Sequence, residues 1–247
     1  MSQFYEHTIR LTGMDADGRG ICKPSALLDH LQIAAGFAAE EGGFGRETLV
    51  EKYGAFWMLA RSWFRLERPL RWEDRLTIRT WHRGGKAAMM YRDYDIYANG
   101  QLVGESVSGW VLANLESRKI MRLADIRELA GTGGEELCKT RTQNKLRAPK
   151  DLKLLERRIM HYSETYVNSH VNNTRYADFA CDAVELDKLP PEQFLAEMQI
   201  GYLAECRPGE ILDLEAGSID SGCYVHGLDR NGKARFETAM IFQQVGS

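Results

Sequence analysis

The sequence lacks the features that mark membrane, secreted and nucleic-acid-binding proteins. No apolar run approaches the roughly 18 residues that a membrane-spanning helix needs. The first residues resemble neither a signal peptide nor an Arg- and Ser-rich transit segment. The 32 basic and 35 acidic residues give a formal charge of -3, whereas a general nucleic-acid binder needs a basic surplus. We therefore expect a soluble, cytoplasmic protein that spans no membrane and binds no nucleic acid.

Clustered metal-binding residues are also missing. The five cysteines are scattered, and no two have the C-x-x-C spacing of a zinc or redox site. Their pattern is typical of small buried residues in a reducing compartment. The sequence has neither a cluster of His and carboxylate ligands nor a Gly-rich phosphate loop. It therefore predicts no metal and no cofactor.

The chain does contain enough apolar sequence for one large core or two modest ones, since 44% of its 247 residues are hydrophobic. From Leu27 to Ala38, apolar residues recur at steps of three and four and predict a helix, opened by Pro24 and closed at Gly42. Strand-like segments follow at 56–66, 75–81, 91–98 and 103–114. An Asn-Gly turn at Asn99 joins the last two as a hairpin.

The second half repeats this order. A strand at 154–162 precedes a helix at about 173–186, stopped by Pro190, and strands follow at 198–205, 211–218, 224–228 and 234–244. The repeated order indicates duplication. We predict an α+β fold with domains at 1–130 and 154–247, each an antiparallel sheet wrapped around a helix. A basic linker at 131–153 joins them.

An unusual polar segment lies between the strand and the helix of the second half. Asn172 or Asn173 is placed to cap the helix, whose N-terminus offers N–H groups that can hold a carbonyl oxygen as negative charge develops. His170 stands just before that end and can transfer protons near neutral pH. Asn168 can orient its ring or a water. The alternative is a polar loop with a helix cap and a surface histidine.

A second candidate for chemistry is the pair Glu205-Cys206. In an extended strand these neighbours point to opposite faces, so both can hardly enter one site. A carboxylate that faces the helix N-terminus could activate water. Cys206 could act as a nucleophile only if a histidine lowered its pKa. The alternative for Glu205 is a solvated strand residue.

These motifs resemble one known family. The string N-x-H-V-N-N-x-x-Y, from Asn168 to Tyr176, followed by Glu205-Cys206, is similar to that of the acyl-ACP thioesterases. Landmarks of the first half agree, namely the run from Phe56 to Arg61, Thr80-Trp81, Trp110-Val111 and Arg118-Lys119. The resemblance covers nearly the whole chain. It implies a tandem hotdog fold and a hydrolase that releases fatty acids from acyl carrier protein, ending fatty-acid synthesis.

The resemblance also implies roles for individual residues. By position, the family's catalytic residues match Asn168, His170, Glu205 and Cys206. The thioester carbonyl would rest on the backbone N–H groups of Val171 and Asn172 while Glu205, helped by His170 and Asn168, activates a water. An older idea for the family makes Cys206 the nucleophile. The fatty acyl chain would lie inside the first half, beside its helix and residues 56–59.

One position departs from the family pattern D-x-N-x-H, because Tyr166 stands where the family has Asp. Glu164 lies two residues earlier and would point elsewhere. Two alternatives follow: an acyl-CoA thioesterase of the same fold, and an acyl-binding or regulatory protein weakened by the missing carboxylate. A tandem chain supplies internally the pairing that single hotdog domains reach by dimerising, so we expect a monomer or a homodimer.

A docking surface for the acidic carrier protein is predicted in the linker region. Residues 139–158 contain eight basic and two acidic side chains, a formal charge of +6. Arg141, Lys145, Arg147 and Lys150 are the predicted contacts. The alternative is a solvated linker whose lysines only keep the protein soluble.

Overall fold

The computed structural model describes residues 4–122, 126 and 144–246, and the chain divides into two compact units. The first unit comprises Met1–Leu11, Asp29–Phe64 and Glu73–Gln143; the second comprises Thr12–Leu28, Arg65–Trp72 and Asn144–Ser247. Two segments of the first half thus belong to the second unit. The domain boundaries at 130 and 154 stay a prediction.

Within residues 4–122 the chain forms seven elements: β1 (Tyr5–Arg10), α1 (Pro24–Glu41), α2 (Arg46–Tyr53), β2 (Ala55–Leu66), β3 (Arg75–Lys86), β4 (Met89–Ala98) and β5 (Gln101–Asn114). The strands are ordered β1-β3-β4-β5-β2 in the sheet. The predicted hairpin is confirmed. Ala98 pairs with Gln101, and both turn residues have positive φ, 55° at Asn99 and 83° at Gly100, as a two-residue turn with right-handed strand twist requires.

The apolar stripe of α1 is buried except at its last predicted residue, Ala38, which is partly exposed. Leu27, Leu31, Ala34 and Ala35 are at most 4% exposed. Helix α2 was not predicted, because Leu49 is its one buried residue and its remaining positions show no apolar period. Nowhere in the described ranges is a helix both long and apolar enough to cross a membrane.

The second unit contains β6 (Lys153–Ile159), α3 (Arg175–Ala183), β7 (Gln193–Tyr202), β8 (Ile211–Ile219), β9 (Gly222–Leu228) and β10 (Ala234–Gln244). Its strands are ordered β7-β10-β9-β8-β6. The apolar spacing of the second helix predicts one face with Tyr176, Phe179 or Ala180, and Ala183; α3 buries the first three, and Ala183 is partly exposed. The Tyr176 ring lies 5.0 Å from that of Phe236 on β10. The α+β prediction therefore holds in both halves of the chain.

Several element ends differ from the prediction: β3 continues to Lys86, β6 ends at Ile159 and β7 begins at Gln193. Two further differences affect the site. Helix α3 ends at Ala183, before Pro190, because Glu185 adopts left-handed backbone angles with φ of 53°. Strand β7 ends at Tyr202, so Glu205 and Cys206 lie in the connection that follows it.

Candidate active site

The polar segment before α3 folds into a compact hairpin-like loop. After a 3-10 helix at Tyr162–Glu164, Thr165 forms a β-bridge with Val171, and the Ser169 N–H donates to the Tyr166 carbonyl at 2.9 Å. Ser169 has a φ of 61°, left-handed backbone that costs a non-glycine residue about 1 kcal/mol or more. This turn brings residues 166, 168 and 170 together at the end of the loop.

His170 and Glu205 form the central pair of the site. His170 Nε2 lies 3.5 Å from Glu205 Oε1, with the imidazole side chain 13% and the carboxylate side chain 42% exposed. His170 Nδ1 lies 2.9 Å from the Val171 carbonyl oxygen. Because a carbonyl only accepts, Nδ1 carries a proton, and Nε2 faces the carboxylate. The structure thus brings together the two residues that were singled out for proton transfer and water activation.

Tyr166 takes part in the site at the position of the family's Asp. Its hydroxyl oxygen accepts a 2.6 Å hydrogen bond from Asn168 Nδ2. Its ring packs edge-on against His170, with centroids 5.1 Å apart and planes at 84°. Tyr166 therefore connects Asn168 to the imidazole. The sequence alone could not show this, because both contacts depend on the turn at Ser169.

The carboxylate of Glu164 does not replace the missing Asp. It accepts a 2.6 Å hydrogen bond from the His161 N–H and lies 3.6 Å from Arg158 Nε. These contacts hold the start of the loop, as the capping interactions of a helix do. The expectation that Glu164 points elsewhere is therefore correct.

The backbone N–H groups expected to hold the thioester carbonyl are occupied. The Val171 N–H donates to the Cys206 carbonyl and the Asn172 N–H donates to the Glu164 carbonyl, both at 2.9 Å. Each group therefore holds two chain segments together, and neither is available to a substrate oxygen in this structure. That expectation is wrong because the sequence does not show which carbonyls face the loop.

The start of α3 also differs from the predicted cap. Thr174 is the N-cap residue, and the Asn172 side chain accepts a 3.3 Å bond from the Thr174 N–H. In the described part of the chain, the N–H of Asn173 has no acceptor. It lies beside this helix end, where the partial positive charge of the helix is greatest.

Cys206 is enclosed, whereas Glu205 reaches solvent. Cys206 is 0% exposed, and burial raises the pKa of its thiol. Glu205 is held through its backbone, because Arg235 Nη1 donates to the Glu205 carbonyl at 2.9 Å while Arg235 Nε donates to Asp229 at 3.1 Å. Arg235 was not predicted as a site residue. It follows Glu205 by thirty positions, and no local pattern links the two.

The predicted docking residues have different outcomes. Arg141 lies outside the described residues. Lys145, Arg147 and Lys150 are exposed, and within the described ranges none of them pairs with a carboxylate. Two further basic residues of the stretch are paired, Arg157 with Asp213 and Arg158 with Glu156, Glu164 and Asp182.

The segment that carries these three residues packs on the second unit's own sheet. The Asn144 carbonyl accepts a 2.7 Å bond from Gln199 on β7. At Gly217 on β8, an added Cβ would lie 2.7 Å from Pro149 Cγ and 3.0 Å from the Asp151 carbonyl oxygen. The basic side chains are thus presented by a segment in close contact with strands. Over residues 4–122, 126 and 144–246, no group of three or more His, Cys, Asp or Glu side chains could hold a metal ion.

Comparison with known proteins assigns the family. The chain matches the acyl-ACP thioesterase N-terminal domain over residues 2–129 and the C-terminal domain over residues 152–244. An acyl-ACP thioesterase from Bacteroides thetaiotaomicron has the same fold, with a TM-score of 0.86 at 21% identity over 98% of this chain and 100% of that one. The 12:0-ACP thioesterase from Umbellularia californica gives 0.78 at 19% identity, over 99% and 98%. The chain therefore belongs to the acyl-ACP thioesterase family, and the predicted tandem hotdog fold is confirmed.

Sequence relatives are more distant and longer. The chain is 24% identical to the chloroplastic oleoyl-acyl carrier protein thioesterase 2 of Arabidopsis thaliana over 75% of its own length and 53% of that protein's. It is 26% identical to a chloroplastic palmitoyl-acyl carrier protein thioesterase of Cuphea hookeriana, over 79% and 48%. The chain thus spans about half the length of these curated relatives.

Proposed function

We propose that this protein hydrolyses fatty acyl thioesters carried on acyl carrier protein, releasing free fatty acids and ending fatty-acid synthesis. The observation that carries the proposal is the 3.5 Å approach of His170 Nε2 to the exposed carboxylate of Glu205, in a chain whose two halves match the two domains of the family. A solvent-reaching carboxylate beside an imidazole is an arrangement suited to general base catalysis.

Water activation follows from the hydrogen-bonding capacity of the pair. With a proton on Nδ1, the Nε2 atom of a neutral His170 accepts hydrogen bonds, as does the Glu205 carboxylate. A water between them donates to both, which directs its oxygen lone pair toward the thioester carbonyl. Glu205 takes the proton of the attacking water and passes it to His170 Nε2, 3.5 Å away. As the tetrahedral intermediate breaks its C–S bond, His170 gives this proton to the leaving thiolate, and both side chains return to their starting protonation states. Asn168 and Tyr166 hold the imidazole in place.

The oxyanion needs a donor other than those first expected. We assign this role to the Asn173 N–H, because it lies at the N-terminal end of α3 and has no acceptor in the described residues. A backbone donor at a helix start stabilises the negative charge that develops on the carbonyl oxygen.

Cys206 is assigned a packing role. A nucleophilic cysteine needs a neighbour that lowers its pKa, and here burial raises the pKa of the enclosed thiol. The attack on the thioester therefore comes from water, and no acyl-cysteine forms.

The compartment and the acyl-binding region complete the proposal. The described cysteines, Cys22, Cys181, Cys206 and Cys223, are unpaired, as in a reducing compartment, and we propose the cytoplasm. The acyl chain enters the interior of the first unit, and the protein acts as a monomer or a homodimer.

Steady-state hydrolysis of acyl-ACP and acyl-CoA panels by the purified protein tests the proposal. We expect acyl-ACP to give the higher kcat/KM and His170→Ala to lower kcat by at least about 100-fold, the scale of a positioned proton-transfer group. Tyr162→Ala is the matched control, since its side chain is 86% exposed in the same loop. A faster reaction with acyl-CoA would favour the acyl-CoA thioesterase. No hydrolysis of any thioester would favour an acyl-binding protein.

A further inference from the structure

A band of polar side chains crosses the buried face of the first unit's sheet. Residues paired across strands share a face, so the register defines the band. Two consecutive rows are polar: Thr80, Tyr94 and Ser106, then His82, Arg92 and Ser108. The rows before them are apolar and unexposed: Leu76 with Ala98, and Ile78 with Ile96. The face therefore changes from apolar to polar partway along β3 and β4.

The hydroxyl groups of this band are satisfied by the protein itself. Thr80 Oγ1 donates to the Asp93 carbonyl at 2.8 Å. The Tyr94 and Ser108 hydroxyls are 2.7 Å apart, and Trp110 Nε1 donates to Ser108 at 2.6 Å. Such pairing is normal for buried polar groups.

Arg92 is not satisfied in this way. Its Nη1 donates to Thr80 Oγ1 at 3.3 Å, and no carboxylate of the described residues pairs with it. Its neighbour Asp93 lies on the opposite face and accepts a 2.7 Å bond from Arg83. Burial lowers the pKa of Arg92, and a guanidinium has five N–H donors to satisfy. Arg92 keeps partial exposure, so a ligand can reach it.

His82 offers a hydrogen-bond acceptor beside the donors of Arg92. His82 Nδ1 lies 3.1 Å from the Tyr91 carbonyl oxygen and 3.5 Å from the Gly84 backbone nitrogen. Because a carbonyl only accepts and its contact is the shorter of the two, we assign the ring proton to Nδ1. Burial lowers the pKa of His82, which keeps the ring neutral at neutral pH and leaves Nε2 as an acceptor. Nε2 is buried and has no hydrogen-bond partner among the described residues. Arg92, directly across the strand pair, only donates.

We propose that Arg92 and His82 recognise a hydroxyl group on the acyl chain, which makes hydroxyacyl thioesters the favoured substrate class. A hydroxyl is the group that accepts from Arg92 and donates to His82 Nε2 through one oxygen. A ketone or an ionised carboxylate satisfies Arg92 and leaves His82 Nε2 unpaired. The inference rests on the proposed function, since it places the acyl chain inside the first unit.

The test uses acyl carrier protein loaded with acyl chains of one length, either unsubstituted or with a hydroxyl at successive positions. We expect at least one hydroxy isomer to give a kcat/KM at least 10-fold above that of the unsubstituted chain. Arg92→Met and His82→Phe should each bring this ratio to about 1. If the chain with an oxo group at the same position is also preferred over the unsubstituted chain, Arg92→Met should remove that preference in kcat/KM and His82→Phe should leave it unchanged. Arg75→Met, an exposed position on the same strand, is the control.

The proposal is overturned if the wild-type protein prefers no hydroxy isomer, or if the preference survives both substitutions. If the melting curve of a variant shows that it does not fold, the proposal is tested on the wild-type protein alone. The free hydroxy acid must then raise the melting temperature of the wild-type protein more than the unsubstituted acid does. An equal shift overturns the proposal. If the protein hydrolyses no acyl-ACP at all, the proposed function is wrong. The comparison of melting temperatures would still test the hydroxyl site.

Discussion

At the scale of single residues, Glu205 and Cys206 are neighbours in sequence with opposite environments. Glu205 reaches solvent beside His170, while Cys206 is fully enclosed. The sequence analysis predicted that the two side chains point to opposite faces of a strand. Their side chains do have different environments, but both residues lie in the connection after β7, where Arg235 binds the Glu205 backbone.

This separation predicts different outcomes for the two substitutions. Glu205→Ala should lower kcat by at least about 100-fold, because the base is removed. Cys206→Ala should keep most of the activity and lose about 1 kcal/mol of stability from the shortened buried side chain. Initial rates with acyl-ACP and urea unfolding measure the two effects. Mass-spectrometric detection of an acyl group on Cys206 would overturn the assignment of water as nucleophile.

A second prediction concerns the hydrogen bond between Asn168 and Tyr166. Tyr166→Phe keeps the ring against His170 but removes the oxygen that accepts from Asn168. We expect kcat to fall about 10-fold with KM nearly unchanged, since a hydrogen bond that holds the catalytic loop is lost.

The same position allows a test against the family pattern. Tyr166→Asp restores the family residue but loses the ring contact with His170, and its shorter side chain cannot occupy the position of the phenol oxygen. We expect a larger loss of kcat than in Tyr166→Phe. A gain of activity in Tyr166→Asp would show that the missing carboxylate limits catalysis.

At the scale of elements, the segment before β6 is held by a close approach to β8. A side chain at Gly217 would meet Pro149 and Asp151, so Gly217→Val should displace the segment. We expect a loss of about 1–3 kcal/mol in the free energy of unfolding, as for other overpacked sites. Faster proteolytic cleavage between 144 and 152 should accompany it. The control is Ser218→Val, an exposed position on the same strand. Equal cleavage rates in the two variants would show that the contact does not hold the segment.

At the scale of the whole molecule, a protein with net charge -3 must concentrate positive charge to attract an acidic carrier. Lys145, Arg147 and Lys150 are exposed and pair with no carboxylate of the described residues, unlike Arg157 and Arg158. We therefore propose these three residues as the docking surface. Electrostatic steering of this kind acts on the association rate and weakens as salt rises.

Reversal of these three residues to Glu should therefore raise KM for acyl-ACP at low salt by about 10-fold and flatten its salt dependence. Hydrolysis of a small uncharged thioester should stay unchanged, because His170 and Glu205 are untouched. The matched control reverses Lys52, Lys119 and Lys233, three exposed lysines elsewhere, and changes the net charge equally. If both triple variants raise KM alike, the effect belongs to net charge and the docking surface is refuted.

The sequence by itself determined the strands, the long helix and the hairpin at Asn99, because periodicity and turn chemistry are local properties of the chain. It also identified His170 and Glu205, since those residue types suit proton transfer and the surrounding string matches a family.

Only the tertiary structure decided which groups of the site are available. Val171 and Asn172 donate to distant or non-adjacent carbonyls, Arg235 reaches Glu205 across thirty positions, and Arg92 meets His82 through strand register. Each of these contacts joins residues that are apart in sequence. These contacts form only when the loops and strands pack against one another, and local sequence propensity does not determine that packing.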